Sequence, residues 1–294
     1  MNTIENLLAT QEFATLPIIT IKILNVLENP DEVGLREISK VIETDASLTL
    51  KLIRVANSPL FAVRGEISSL HQAIATLGLN RVTNIVLGIS LFSKFMYSTN
   101  EGIKEVMEKY WWHTSSTAIV SKSLAKKLNL FFKEQEFTGG LLHDIGKLAM
   151  LQYDFDIFKK IIDCVENKGM TDLQAEREIF SFDHVEVNAG IARLWKLPKN
   201  LSMILEYHCN VTNAPIELQS IIAVVNMANM LCGIWGADFY EGIKAIEFEA
   251  TSEWEILKNA SKIENIDFEK ITFELEKDYH DSQAFLNIMS NTSV

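Results

Sequence analysis

The stretch Leu141-Leu142-His143-Asp144-Ile145-Gly146-Lys147 carries the most informative pattern in the sequence. His143 and Asp144 are adjacent, so on a helix their side chains point about 100° apart. A neutral imidazole and a carboxylate together suit a transition metal such as iron, manganese, nickel or zinc, and a carboxylate can bridge two metals. Lys147 follows Asp144 by three residues, which places it on the same side of a helix, where it can meet an anionic oxygen of a substrate. A His-Asp pair alone is weak evidence, so this interpretation depends on further ligands.

Three more histidines lie at helical spacing from apolar residues, namely His113, His184 and His208. Each is therefore predicted to point toward the core of the protein. A single histidine of this kind is more often a hydrogen-bonded core residue than a ligand. Together with His143 and Asp144 the three favour a shared cluster. His71 and His280 lack comparable apolar neighbours and are interpreted as ordinary residues.

The sequence around these residues has helical periodicity almost throughout. Leu48, Leu52, Val55 and Ala56 form one face of a helix, with candidate N-caps at Thr44 and Asp45. Ser68 and Ser69 are candidate caps of the next helix, which Gly78 is predicted to end. The pattern further predicts helices over 103–128, 138–151 and 155–167, a short helix after Thr171, one capped by Asp183, and others starting near Pro198 and Pro215. No segment shows the sustained alternation of a strand, so the predicted fold class is all-α.

A polar segment from Ser98 to Gly102 is the best internal boundary. It predicts an N-terminal helical lobe over 1–100 and a second helical lobe over 101–235 that carries the His/Asp cluster. An acidic helical extension follows over 236–294. From Glu241 to the end there are 12 acidic against 5 basic side chains. This excess is typical of a solvated helical face, and the alternative is a docking surface for a basic partner.

Charge and cysteine content exclude several classes of function. The net charge of −12 repels phosphate backbones, so nucleic-acid binding is not expected. Three cysteines, none in a CxxC pair, are typical of a reducing compartment. Met1 to Thr10 has neither the basic region nor the apolar run of a secretory signal, so a cytoplasmic location is expected.

The segment Ile221 to Trp235 is the best candidate for a membrane span. It contains Asn226, Asn229 and Gly233 and has fewer apolar residues than the roughly 17 needed to cross a bilayer. We therefore predict a buried core helix and no insertion into a membrane.

The histidine pattern resembles the HD superfamily of metal-dependent phosphohydrolases. That superfamily uses a helical histidine, then a His-Asp pair, then further histidines and a late aspartate. The resemblance places these ligands on His113, His143, Asp144, His184 and His208. The late aspartate falls on Asn229, and Cys209 stands where catalytic HD-GYP members carry another histidine. Asn226 and Asn229 are also open to a simpler interpretation, in which both bond neighbouring backbone groups.

The N-terminal part is similar to the HDOD family in particular. The motifs that carry this similarity are Leu16-Pro17, Thr44-Asp45-Ala46-Ser47-Leu48, Ala56-Asn57-Ser58, Ile67-Ser68-Ser69, Ala73-Ile74 with Leu77-Gly78, and Leu194-Trp195-Lys196-Leu197-Pro198. The resemblance covers about 13–232 and departs from the family at Thr20, where a second proline is common. It implies two helical lobes and a regulatory role.

Two functions are consistent with these residues. The first is a non-catalytic signalling scaffold that acts through a protein partner and holds at most one weakly bound iron, manganese, nickel or zinc ion. The second is a residual metal-dependent phosphohydrolase acting on a nucleotide or cyclic nucleotide, with Lys147 as the phosphate contact. Replacement of an anionic ligand by Asn229 favours the first, so an enzyme is not the leading expectation. The sequence leaves the oligomeric state and the identity of the partner open.

Overall fold

The chain folds into α-helices and short connections. The computed structural model describes residues 3–10, 17, 19–23, 39–40, 42–58, 65–95, 101–243, 245–263 and 266–290, with only the backbone described for 101 and 281–290. No strand occurs in these ranges, which confirms the all-α prediction. Leu16 and Ser98 to Asn100 lie outside the described residues, and the predicted boundary between 1–100 and 101–235 stays a prediction.

Four helices of the N-terminal part are described: α1 (Ile4–Leu8), α2 (Ala46–Ala56), α3 (Leu70–Leu77) and α4 (Leu79–Phe95). Of the four candidate caps, Asp45 and Ser69 are confirmed, because Asp45 accepts from the Leu48 amide and Ser69 accepts from the Gln72 amide. Gly78 ends α3 with φ +83°, a conformation that a residue with a side chain rarely adopts. The N-terminal caps therefore set the beginnings of α2 and α3 as the sequence predicts.

Asn57 joins two of the N-terminal motifs directly. Its side-chain oxygen accepts from the Ile67 amide at 2.8 Å, and its side-chain nitrogen donates to the Ile67 carbonyl at 2.7 Å. A single amide side chain thus satisfies both backbone groups of Ile67, a role that neither aspartate nor leucine can perform.

The remaining helices build the second lobe and the C-terminal part. They are α5 (Glu101–Lys127), α6 (Gln135–Leu142), α7 (Ile145–Tyr153), α8 (Phe155–Lys168), α9 (Asp172–Phe180), α10 (His184–Leu194), α11 (Lys199–Tyr207), α12 (Ile216–Ile234), α13 (Ser252–Ser261) and α14 (Phe268–Ser290). Two short 3₁₀ turns lie at Val211–Asn213 and Phe248–Ala250. Capping boxes at Thr171 and Asp183 begin α9 and α10, as predicted.

Helix α5 is the longest element and runs through the centre of this lobe. Its 27 residues span about 40 Å, and it packs against α6, α12 and α14. The approach of α6 is close: a β-carbon built on Gly140 would lie 2.7 Å from the Ala118 α-carbon. Glycine at position 140 is therefore required for the two helices to meet at this distance.

Helix α12 is the core helix that the sequence predicts. Ile216–Ile234 is long and apolar enough to cross a membrane by length and composition, and most of its residues are buried inside the protein. It packs between α5, α6, α11 and α13. Asn226 donates to the Glu253 carboxylate of α13 at 3.0 Å, so its side chain bonds another side chain rather than backbone.

One predicted helix is wrong in its middle. The sequence predicts an unbroken helix over 138–151, whereas the structure has α6 and α7 with a break at His143 and Asp144. Asp144 has φ −104° and ψ 19°, which is outside the helical region. The two residues are therefore oriented by a turn between helices, and not by the 100° step of a single helix.

Candidate metal centre

The five predicted ligands come from four different places in the fold and meet in its core. His113 lies on α5, His143 and Asp144 lie in the turn between α6 and α7, His184 begins α10, and His208 follows the end of α11. Each of the five is at most 1% exposed. The structure thus brings together all five residues, and their binding of a metal stays a prediction.

Asn188 of α10 fixes the turn that carries His143 and Asp144. Its side-chain oxygen accepts from the Gly146 amide at 2.7 Å, and its side-chain nitrogen donates to the carbonyls of His143 and Leu205. A β-carbon on Gly146 would collide with the His184 carbonyl. The glycine of the His-Asp-Ile-Gly sequence is therefore explained by the close approach of α10.

The hydrogen bonds of the histidines determine which ring nitrogens carry protons. Nδ1 of His113 bonds the Ala237 carbonyl at 2.7 Å, and Nδ1 of His143 bonds the Gly140 carbonyl at 2.8 Å. A carbonyl only accepts, so Nδ1 is the protonated nitrogen in both rings. In the neutral rings each Nε2 is then an acceptor, and the two Nε2 atoms face each other at 3.1 Å.

A second pair of imidazoles has the same arrangement. Nδ1 of His184 bonds the Glu176 carboxylate at 2.8 Å, and Nδ1 of His208 bonds the Leu205 carbonyl at 3.1 Å. The Nε2 atoms of His184 and His208 lie 3.2 Å apart. Two facing acceptors repel each other unless a proton or a cation lies between them. Each pair therefore needs a positive charge.

The distances around the first pair fit a metal ion. Nε2 of His113 lies 3.4 Å from Asp144 Oδ2, and Nε2 of His143 lies 3.6 Å from the same oxygen. Ligands placed about 2.1 Å from a tetrahedral ion are roughly 3.4 Å from one another. These residues can thus hold a divalent ion, and the mixture of imidazole and carboxylate suits a first-row transition metal. His184 and His208 both lie 3.5 Å from Asp144 Oδ1, so the aspartate stands between the two pairs.

Three carboxylates that the sequence interpretation missed surround this cluster: Asp172, Glu176 and Glu241. Oε1 of Glu241 lies 3.6 Å from Nε2 of His113, which adds a second carboxylate to the first pair. Asp144 is therefore not the only carboxylate beside these imidazoles. The capping-box positions near Asp172 and Glu176 indicated a helix and gave no sign of a site.

Lys147 is the internal counter-ion of these carboxylates. Its ammonium lies 2.9 Å from Asp144 Oδ2, 2.8 Å from Asp172 Oδ2 and 3.9 Å from Glu241 Oε1. Burial disfavours the charged form, but the three carboxylates outweigh burial and raise the pKa of Lys147 well above its ordinary value. The lysine is therefore a permanent cation, and the predicted phosphate contact requires it to leave two carboxylates.

Burial and charge also separate the pKa values of the histidines. Burial lowers the pKa of His143 well below its ordinary value, so this ring is neutral and available as a ligand. For His184 the effect of burial is outweighed by Glu176, which raises the pKa well above its ordinary value. Without a metal, Glu176 thus stabilises the protonated, cationic form of His184. With a metal bound, the same hydrogen bond would hold the His184 ring so that its Nε2 faces His208.

Cys209 and Asn229 occupy the two positions where ligands were predicted to be degraded. Sγ of Cys209 lies 3.7 Å from Nε2 of His184, and burial raises the pKa of this thiol to about 11. In this uncharged form the thiol adds no negative charge to the second pair, and the residue as a whole is exposed. Asn229 of α12 is 6% exposed, and its side-chain oxygen accepts no hydrogen bond from the described residues.

Comparison with a family model matches residues 13–211 to the HDOD domain. The chain belongs to the HDOD family. Among curated proteins, an uncharacterized protein of Treponema pallidum (strain Nichols) is 26% identical over 225 residues. That alignment covers 73% of this chain and 41% of the relative, so the chain spans less than half of that protein.

Solved structures share the fold. An HDOD domain protein of unknown function from Geobacter sulfurreducens is 24% identical, with a TM-score of 0.80 and coverage of 94% of this chain and 93% of the other. A Shewanella amazonensis SB2B protein, whose name proposes a phosphohydrolase, is 22% identical with a TM-score of 0.74 and coverage of 98% and 99%. A Marinobacter aquaeolei VT8 protein, whose name proposes signal transduction, is 19% identical with a TM-score of 0.71 and coverage of 96% and 61%. These likenesses are all below 25% identity, and they support the all-helical HDOD fold of this chain.

Proposed function

We propose that this HDOD protein is a regulatory module of a cytoplasmic signalling pathway, acts through a protein partner, and does not catalyse a reaction at its His/Asp centre. The observation that carries the proposal is that the Lys147 side chain is buried in ion pairs with carboxylates of the protein. Its ammonium is 2% exposed and bound to both Asp144 and Asp172. The cationic group that would hold a substrate phosphate is thus committed to the protein itself.

Burial of the ligands supports the same conclusion. The five predicted ligands are at most 1% exposed, and Glu241, which covers them, is 5% exposed. A hydrolytic metal centre keeps one coordination position open to water and substrate. A nucleotide would have to displace packed side chains to reach Asp144, so the centre is better suited to stabilising a fold than to turnover.

The comparisons support a signalling context in a limited way. The Marinobacter protein, whose name proposes signal transduction, has a chain of which this fold covers 61%. A fold that forms only part of a longer chain can act as one domain beside others in that chain. The three cysteines, which are free in the described structure, agree with the expected reducing compartment.

One observation supports the second function, that of a metal-dependent phosphohydrolase. Asp144 stands between two imidazole pairs, which is the arrangement that a bridging carboxylate needs in a two-metal hydrolase. If the centre binds a metal and opens, the chemistry that the ion supplies is polarisation of a phosphate oxygen. Lys147 would then release its carboxylates to meet the phosphate.

A turnover assay on the full chain separates the two functions. Metal-free protein is loaded in separate samples with manganese, ferrous iron, nickel and zinc, and each sample is incubated with nucleotides, cyclic nucleotides and cyclic dinucleotides. We expect product formation no faster than with an Asp144→Asn control treated identically. Turnover by the wild type that the control loses, with both proteins folded by circular dichroism, would establish the hydrolase instead.

The regulatory role has its own test. Chemical cross-linking and mass spectrometry identify partners of the wild type in cells of the source organism, and the same experiment is repeated with Asp144→Asn. We expect the folded variant to retain the partner set, because the proposed role does not use turnover. Loss of all partners together with detectable turnover in the wild type would contradict the proposal.

A further inference from the structure

An irregular segment after α12 covers the metal centre. We name Trp235–Gly242 the strap. Its backbone is held at several points: Tyr279 donates to the Trp235 carbonyl at 2.9 Å, His113 donates to the Ala237 carbonyl at 2.7 Å, and the Asp172 amide donates to the Glu241 carbonyl at 3.3 Å. Phe239 is fully buried and packs against the His113 ring. The strap is therefore part of the core and delivers its Glu241 side chain inward.

The end of the strap requires a particular backbone conformation. Gly242 has φ +74°, and a β-carbon there would collide with the Met170 carbonyl. Glycine is thus needed directly after Glu241, where the chain passes closest to the segment before α9. This turn fixes the direction in which the Glu241 carboxylate points.

The carboxylate of Glu241 is aimed at the ligands and is incompletely satisfied. It is 5% exposed, and Oε1 lies 3.6 Å from Nε2 of His113. Oε2 is buried and accepts no hydrogen bond from the described residues. A buried carboxylate oxygen without a donor is costly, and a cation shared with His113 would remove the cost.

Glu241 supplies the negative charge that α12 lacks. Asn229 lies one helical turn before Gly233, and a β-carbon on Gly233 would be 3.3 Å from Oε2 of Glu241. The carboxylate therefore reaches the face of α12 that carries an amide at position 229. Glu241 also lies beyond residue 211, where the match to the family model ends.

We propose that Glu241 is the fourth ligand of a divalent first-row transition ion held with His113, His143 and Asp144, and that this bond fastens the strap to the centre. The four ligand atoms lie within 4.8 Å of one another. Two imidazoles and two carboxylates leave a divalent ion neutralised, which is the charge balance that a buried site needs. The inference goes beyond the regulatory role, because it holds whether or not the protein hydrolyses a substrate.

Zinc affinity measures the contribution of Glu241. The full chain is stripped with a chelator and titrated with zinc in competition with a chromophoric chelator. Glu241→Gln should weaken zinc binding by at least about 10-fold, since even indirect partners of a metal contribute 10–100-fold. The matched control is Glu253→Gln, a buried glutamate of α13 that bonds Asn226 and is outside the cluster. The control should bind within about 3-fold of the wild type, and equal affinity of both variants overturns the proposal.

The strap itself gives a second measurement that needs no variant. Amide hydrogen exchange of the wild-type chain is compared without metal and with saturating zinc. Peptides covering 235–243 should exchange at least about 10-fold more slowly with zinc, because opening the strap then requires breaking the Glu241 bond. Zinc that binds while leaving exchange of 235–243 unchanged would refute the proposal even if Glu241→Gln failed to fold.

Discussion

Replacement of Lys147 by methionine tests whether the buried cation holds the centre together. Methionine keeps the length and most of the volume of the side chain and removes only its charge and hydrogen-bond donors. The ammonium lies 2.9 Å from Asp144 and 2.8 Å from Asp172, and all three side chains are largely buried. At an effective dielectric constant near 20, each such pair is worth roughly 6 kcal/mol before desolvation is subtracted.

The expected loss of stability follows from the carboxylates that stay buried without a cation after the substitution. Removing one partner of a buried ion pair typically costs about 3–5 kcal/mol, because the other partner stays buried without compensation. Lys147→Met leaves two carboxylates in that condition, so we expect a decrease of at least about 3 kcal/mol in the free energy of unfolding. This is a large part of the roughly 5–15 kcal/mol by which a folded protein is stable.

Urea unfolding of metal-free protein, followed by far-ultraviolet circular dichroism, measures this loss. The matched control is Lys127→Met, which removes an exposed ion pair to Glu274 at 2.6 Å. Exposed pairs contribute at most about 1 kcal/mol, so the control should unfold nearly as the wild type does. If Lys147→Met loses no more stability than Lys127→Met, with the same slope against urea, the ammonium is not the internal counter-ion described here.

Three further outcomes are expected. Burial raises the pKa of Glu136 from 4.5 to about 7, so ionisation of this side chain increasingly destabilises the folded protein as the pH rises between those values. In urea unfolding, Glu136→Gln should therefore be more stable than the wild type by up to about 3 kcal/mol at pH 8 and equally stable at pH 4. Asn188→Ala should lose at least about 3 kcal/mol in the same assay, because three buried backbone groups lose their partner, whereas exposed Asn167→Ala should change little. Asn229→Asp should raise zinc affinity about 10-fold or more in a chelator competition, since it adds an anionic ligand beside Glu241; unchanged affinity would place this residue outside the metal's reach.

The helices and their caps were predictable because their signals are local. Asp45, Ser69, Thr171 and Asp183 each accept from an amide three residues later, and that pattern can be read from the sequence alone. The buried histidines were predictable for a similar reason, since apolar neighbours at helical spacing fix the direction of each side chain. Agreement of these local signals with the tertiary structure is what a consistent sequence provides.

The break between α6 and α7 was not predictable from local signals. The break falls on His143 and Asp144, which disfavour a helix only mildly, and neither position is a proline or a glycine. The turn is stabilised by the Asn188 side chain, which comes from α10 and bonds the His143 carbonyl and the Gly146 amide. The competing bonds are tertiary, so they overrode a pattern that is helical on both sides.

Glu241 was missed because it lies in a segment without periodicity. It lies in the strap, in a part of the chain where the acidic residues indicated a solvated face or a docking surface for a basic partner. Its burial depends on the Gly242 turn and on contacts with Met170 and Asp172, none of which has a sequence signal at this distance. The predicted boundary at residue 235 is not tested by the comparisons, but it would separate Glu241 from the histidines that it faces.

Helix α14 packs on α5 in the second lobe and also on α2 in the N-terminal part. It therefore links a helix of the N-terminal part to a helix of the part that carries the histidines, and α1 makes a second link because it packs on α7 and α10. A movement of α2 relative to α5 must therefore either carry α14 along or separate α14 from one of these two helices. The packing of α14 thus connects the C-terminal helix to the relative position of α2 and α5.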